Sequence, residues 1–159
     1  MPGNLIKASV ENPWHGAFAG FLEQVQYDVV KHQRDIITKL TDKILARTPV
    51  WMGDTVANWR WSIGAPDETV MPSPASGPPG ETNSMPLGVE PRRAASEAVA
   101  RRSMAAVLRI NTPEVLYLTN AIDSVMGIEY GFLPSAERSR VDGSKGVVRL
   151  AIEEVENGI

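Results

Sequence analysis

Cysteine is absent from the 159 residues of this chain. Its absence excludes disulfides, thiolate nucleophiles and zinc sites built on sulfur, and it suits folding in a reducing cytosol. Histidine is nearly absent: His15 and His32 lie far apart and lack metal-ligand spacing, so no His-Glu-x-x-His helix can form. No glycine loop ends in Lys-Ser or Lys-Thr, no dinucleotide fingerprint occurs, and the hydrolase elbow Gly-x-Ser-x-Gly is missing. Asp142-Gly143-Ser144-Lys145-Gly146 has the wrong spacing for a phosphate loop and no strand leading into it, so it reads as a turn. Glu153 and Glu154 are adjacent, which on a helix points them in different directions and prevents a working carboxylate pair. These gaps predict a protein that is not an enzyme and carries no cofactor and no metal.

A basic field is lacking too. Sixteen Lys and Arg against nineteen Asp and Glu give a net charge of −3, with a pI near 5.4. That balance disfavours direct duplex binding, while permitting a protein that merely lies beside DNA. No apolar run approaches the ~20 residues needed to span a bilayer. The opening MPGNLIKASVENPW has no basic segment followed by an apolar stretch, so neither a membrane span nor a secretory signal is predicted. With 43% apolar residues, one domain over 1–159 with an ordinary core is expected.

The strongest positive signal is a long helix. Phe18, Phe21, Leu22, Val25, Val29, Ile36, Ile37, Leu40 and Ile44 recur at spacings of three and four, with charged and amide residues between them. Pro13 and Gly16 place the start after themselves, leaving an N-terminal arm over 1–16. Pro49 stops the helix by disfavouring helical geometry at Thr48. About thirty residues at 1.5 Å each give roughly 45 Å, long for a small domain, so one end is expected to project or to pack on a neighbour. Beyond a turn bracketed by Pro49 and Gly53, Val56 to Ile63 follow a period of two, with Trp59, Trp61 and Ile63 on one face. A core strand is predicted there, its indoles packed inside.

Residues 65–91 change character, holding seven of the twelve prolines together with Gly77, Gly80 and Gly88. So little apolar area offsets ordering entropy poorly and predicts an inserted Pro/Gly-rich loop. Such a loop is either a tolerated surface insertion or a segment ordered against a partner. A second helix is expected from Pro91 to about Leu108, with Arg92, Arg93, Arg101 and Arg102 forming a basic, solvated or subunit-contacting face. Val115 to Thr119 reads as a short strand, Ile122 to Tyr130 as a short helix stopped at Gly131, and Val147 to Val155 as a last amphipathic helix. The predicted class is α+β: a long N-terminal helix and shorter helices packed on a small, mostly antiparallel sheet, with a long Pro-rich loop.

Two segments carry a further pattern. Thr48-Pro49-Val50-x-x-Gly53 is followed by Asn58-Trp59, and Val115-Leu116-Tyr117-Leu118-Thr119-Asn120-Ala121 by Ile128-Glu129-Tyr130-Gly131 and then Gly146-Val147-Val148. In this order, along most of residues 18 to 156, they resemble the head–tail joining and minor tail (tail-completion, neck) proteins of tailed bacteriophages. The resemblance implies fold-making roles for Pro49, Gly53, Asn58, Trp59, Asn120, Glu129, Tyr130 and Gly131. Two departures stand out. Trp51 and Met52 replace polar turn residues, suggesting that the turn is buried against another subunit, and Ile122-Asp123-Ser124 replaces a Pro-Tyr pair. Trp51, Met52, Arg92 and Arg93 are thus the expected subunit contacts.

The function the resemblance implies is structural. It describes a virion protein assembled in the bacterial host cytoplasm, in which a homo-oligomeric, hexameric ring joins the portal or adaptor side of the head to the tail tube or terminator. DNA would pass through the channel without sequence-specific binding, and Asp67, Glu68, Glu81 and Glu90 would keep the wall from gripping it. A tail terminator or stopper ring is the alternative within the particle, and a non-viral interaction domain or small enzyme the alternative outside it.

Overall fold

The computed structural model of the chain describes residues 13–50, 53–72, 74, 89–132 and 146–158. Seven elements follow in order: α1 (Pro13–Arg47), α2 (Asp54–Ala57), β1 (Arg60–Ile63), α3 (Val89–Val107), β2 (Leu116–Thr119), α4 (Ser124–Glu129) and α5 (Val147–Glu156). The architecture is α+β as expected, with a single two-stranded antiparallel sheet among the described residues. Its register pairs Arg60 with Thr119, Trp61 with Leu118, Ser62 with Tyr117 and Ile63 with Leu116.

The C-terminal half of α1 is the spine. Val30, Ile37 and Ile44, seven residues apart, are buried along one seam, and Thr41, Leu45 and Thr48 flank it. Two clusters form against this seam. One joins Ile44 and Leu45 to Val50, Val56, Trp59, Ala100, Ile128, Val147 and Ala151, so it draws on helices from both ends of the chain. The other sets Ile37 against Trp61 and Val107, with Leu116 and Leu118 of β2 packed on it.

Two hydrogen bonds fix the sheet to the spine. The Trp59 indole N–H donates to Thr48 Oγ1 at 2.9 Å and the Trp61 indole N–H to Thr41 Oγ1 at 2.8 Å. An indole nitrogen can only donate, so each threonine oxygen must accept. The threonine protons are then spent inward, Thr41 to the Ile37 carbonyl at 2.6 Å and Thr48 to the Ile44 carbonyl at 2.7 Å. Alternation on β1 and a two-turn repeat on α1 thereby meet at two points, which sets the register of one element on the other.

Local chemistry departs from the sequence reading in four places. The first helix begins at Pro13 itself and runs through Gly16, because proline at a first helical position forfeits no hydrogen bond. Asp54–Ala57 is a helical turn, whereas Val56 onward was expected to be strand. Gly53, at φ 89°, reverses the chain ahead of it, and Thr55, Val56 and Ala57 are buried consecutively instead of alternately. Ile63 shares the face of Trp61 but lies exposed, since it ends a two-stranded sheet beyond the reach of the core. The second helix starts at Val89, so the inserted loop is shorter than 65–91.

Thr41→Val is expected to strand the Trp61 indole proton in the core and lower unfolding free energy by about 1–3 kcal/mol. Thr41→Ser, which keeps the acceptor, should recover most of the loss. Urea unfolding followed by tryptophan fluorescence measures both, and a valine variant as stable as the parent would refute the indole clamp.

Candidate interaction site

The motif residues bond backbone groups at the joints between elements. Asn58, 1% exposed, donates from Nδ2 to the carbonyls of Asp54 and Met71, both at 2.8 Å, and accepts the Met71 N–H at 2.6 Å. Its amide thus closes α2 and clamps the start of the proline-rich segment by both backbone groups of Met71. Asn120 works similarly at the end of β2, donating to the Thr55 carbonyl at 2.8 Å and accepting the Ile122 N–H at 3.2 Å.

Glu129 closes a helix that is remote in sequence. Its Oε2 accepts the Val148 N–H at 2.8 Å and its Oε1 the Arg149 N–H at 3.3 Å, while its carbonyl accepts the Gly146 N–H at 2.7 Å. A carboxylate on the free N–H groups of the first turn of α5 satisfies orphan donors and opposes the helix dipole. Behind it Gly131, at φ 78°, ends α4 in the left-handed conformation. Gly131 N–H donates to the Ile128 carbonyl and Phe132 N–H to that of Gly127, the paired bonds of a Schellman cap.

Arg92 and Arg93 are not where the sequence placed them. Both are buried in the subunit, Arg93 with 1% exposure. The Arg93 guanidinium donates to the carbonyls of Leu45 and Thr48 at 3.1 and 3.2 Å, with Glu97 one turn on at 3.7 Å. A cation on the last carbonyls of α1 complements the negative end of its dipole, and that drives the arginine inward. Arg101 does reach the surface, pairing with Asp42 at 2.7 Å. The expected contacts Trp51 and Met52 lie outside the described residues.

Of the four carboxylates expected to line a channel, Asp67 is committed to its own subunit, where it meets Arg60 at 2.7 Å. Hydrogen bonds from the Thr69 side chain, from Arg60 and from the Thr69 backbone hold its carboxyl down to about 2. The Asp67 carbonyl also accepts the Thr119 hydroxyl at 2.6 Å. Glu68 is exposed beside a shallow depression of about 280 Å³ that it lines with Thr119, Asn120 and Ala121. Glu90 falls within α3 rather than the loop, and Glu81 lies outside the described residues.

Among the described residues, nothing covers the outer half of α1. Gln33 exchanges hydrogen bonds with the backbone of Glu114, Arg34 donates to the Ile110 carbonyl and Val30 is buried, yet every residue from Gly16 to Val29 is exposed. Phe18 and Phe21, 59% and 61% exposed, share this stretch with Leu22, Val25 and Val29. At about 100° per residue, Phe18, Leu22, Val25 and Val29 form a row turned roughly 100° from the seam of Val30, Ile37 and Ile44. Farther along, the same row passes through Ile36 to Lys43 and Arg47, which hold Glu154 of α5. That pairing, Arg47 foremost, keeps the Glu154 carboxyl below the ordinary range. A second apolar cluster stands at the end of α4. There Met126 and Tyr130 lie one turn apart, and the Phe132 ring, 80% exposed, sits 6.2 Å from that of Tyr130.

Among the described residues no group of three or more His, Asp or Glu side chains could hold a metal ion, and no helix is long and apolar enough to cross a membrane. Sequence reasoning missed Arg93, Thr41 and Thr48 as structural groups. The seven-residue spacing of the two threonines was the available signal, because it repeats the spacing of the buried seam. Searches with this chain match no protein-family model, no curated protein and no solved structure.

Asn58→Ala is expected to lower stability by about 2 kcal/mol, since it leaves buried backbone groups unpaired, and to speed proteolysis near Met71. Unchanged cleavage there would show that the clamp is idle. A second expectation concerns acid. Because the folded Asp67 carboxyl titrates near 2 against an ordinary 3.8, its contribution is complete above that ordinary value and disappears as pH falls through about 2. Asp67→Asn should therefore unfold more easily than the parent at pH 6, with the difference shrinking away as pH falls through about 2, read by parallel denaturation curves.

Proposed function

We propose that this chain is a structural neck subunit of a tailed bacteriophage, forming a homo-oligomeric ring between the portal side of the head and the tail. The observation that carries this reading is the outer half of α1, where the row of Phe18, Leu22, Val25 and Val29, with Phe21 beside it, is left uncovered by the described residues. Exposed apolar area of that extent marks contact with other proteins, and a subunit built for stacking in a particle needs such contacts more than a cavity. The motif residues fit the same reading. Asn58, Asn120, Glu129 and Gly131 all act on backbone groups of their own chain, as parts of a scaffold would.

The charge balance is consistent with a passage that DNA crosses without being held. With a net charge of −3, a ring of such subunits offers duplex phosphates no basic field, so transit is not slowed by counterion-releasing contacts. Sequence-specific readout would need side chains aimed at base edges from an element that fits a groove, and this reading assigns none.

A symmetry-averaged cryo-EM map of necks in intact particles tests the proposal directly. The expected result is a ring whose subunit density accommodates the long helix, with Trp59 and Trp61 behind it. Purified particles that lack the chain altogether would overturn the neck assignment.

A further inference from the structure

Two exposed apolar surfaces among the described residues sit on different elements of the same chain. One is the outer row of α1, from Phe18 to Val29; the other is the cluster of Met126, Tyr130 and Phe132 beyond α4. In a cyclic ring each subunit contacts its neighbours through two unlike faces, which must be complementary. We propose that the outer half of α1 in one copy docks onto the Met126–Tyr130–Phe132 cluster of the next copy, the two forming the repeating interface of the ring. The assignment rests on the ring reading above and names the faces that close it.

Three observations lead to this occupant. The first is area: with aromatic side chains burying about 150–250 Å² each, the exposed parts of the row and of the cluster each amount to roughly 400 Å². Neither alone supports a stable complex. Joined, they bury on the order of 800 Å² of surface, the size of a weak contact that a closed ring repeats at every subunit.

The second is direction. The row lies on the side of α1 that α5 occupies farther along, where Lys43 and Arg47 meet Glu154. A body docked on the row would therefore continue a flank that the fold already covers in its inner half. The third is shape. Phe132 projects past the Gly131 reversal with 80% of its surface exposed, and its neighbouring Tyr130 ring completes a compact aromatic knob. A row of Phe, Leu and Val at spacings of three and four presents the grooves between side chains that such a knob fills.

Because the chain has no cysteine, introduced thiols report the contact without background. Val25→Cys and Tyr130→Cys, both at exposed positions, are made singly in differently tagged full-length chains and together in one chain. Each preparation is oxidised at high protein concentration and again in assembled particles. The expected result is a mixed disulfide between the two single variants and a ladder from the double variant that ends at the ring number. Val25→Cys chains that join only to themselves would overturn the proposal in favour of a twofold pairing of helices. A ring seen in particles with neither thiol cross-linked would overturn the faces named here while leaving the ring reading intact. Particles without the chain would remove both.

Discussion

Trp59 and Trp61 hold the sheet to the long helix through the hydroxyls of Thr48 and Thr41, and the remainder of the body is arranged around that attachment. Two strands alone make a marginal sheet, because a hairpin-sized ladder leaves both faces and both edges open to water. Here one face is closed by the helix, and the indoles bring the largest apolar areas available to the seam. Each indole would be a burden there if its proton found no acceptor. The threonines remove that burden without exposing a polar atom of their own, since each passes its proton back to the preceding turn. α3 adds a third tie, with the Ser103 hydroxyl accepting the Trp61 backbone N–H at 3.1 Å.

The same economy governs the helix ends. A helix leaves four carbonyls and four N–H groups without internal partners, and in a small domain these ends come close to the core. Arg93 serves the last carbonyls of α1, and Glu129 serves the first N–H groups of α5. Both capping groups come from other elements, so capping and tertiary docking are one event: α3 cannot leave α1, nor α5 leave α4, without exposing a charged residue to a terminus that has lost its partner. Lys43 and Arg47 on Glu154 add the matching tie between α1 and α5.

Much of this was legible in sequence, and the failures have a common cause. The three-and-four spacing of apolar residues identified α1, and Pro49, Gly131 and Gly146 marked ends that local backbone geometry alone decides. Asn120 was named among the fold-making residues, and the way asparagine bonds neighbouring backbone groups accounts for its place at the end of β2. The α2 turn was not legible. Val56 and Ala57 lead straight into the alternating run of β1, and the consecutive burial of Thr55, Val56 and Ala57 is what marks the helical turn. Arg93 was misplaced for a related reason. A run of arginines reads as surface until the carbonyls of Leu45 and Thr48, nearly fifty residues earlier in the chain, are known to await a donor. Spacing reports periodic faces; it does not report which remote group a charged side chain will meet.

The outer half of α1 follows from the same physics applied in reverse. With Gly16, Gly20 and the β-branched Val25 and Val29, that stretch has modest helical propensity of its own. Helix formation is cooperative, however, and the packed inner half supplies the nucleus from which the outer turns propagate. What the described residues do not supply is a cover. Had the apolar row continued the seam of Val30, Ile37 and Ile44, the helix could have folded its outer turns against an enlarged core. Turned by roughly 100°, the row instead follows the flank that α5 covers only along the inner half of the helix. In the ring proposed above, a neighbour carrying the complementary surface supplies that cover without a second kind of chain.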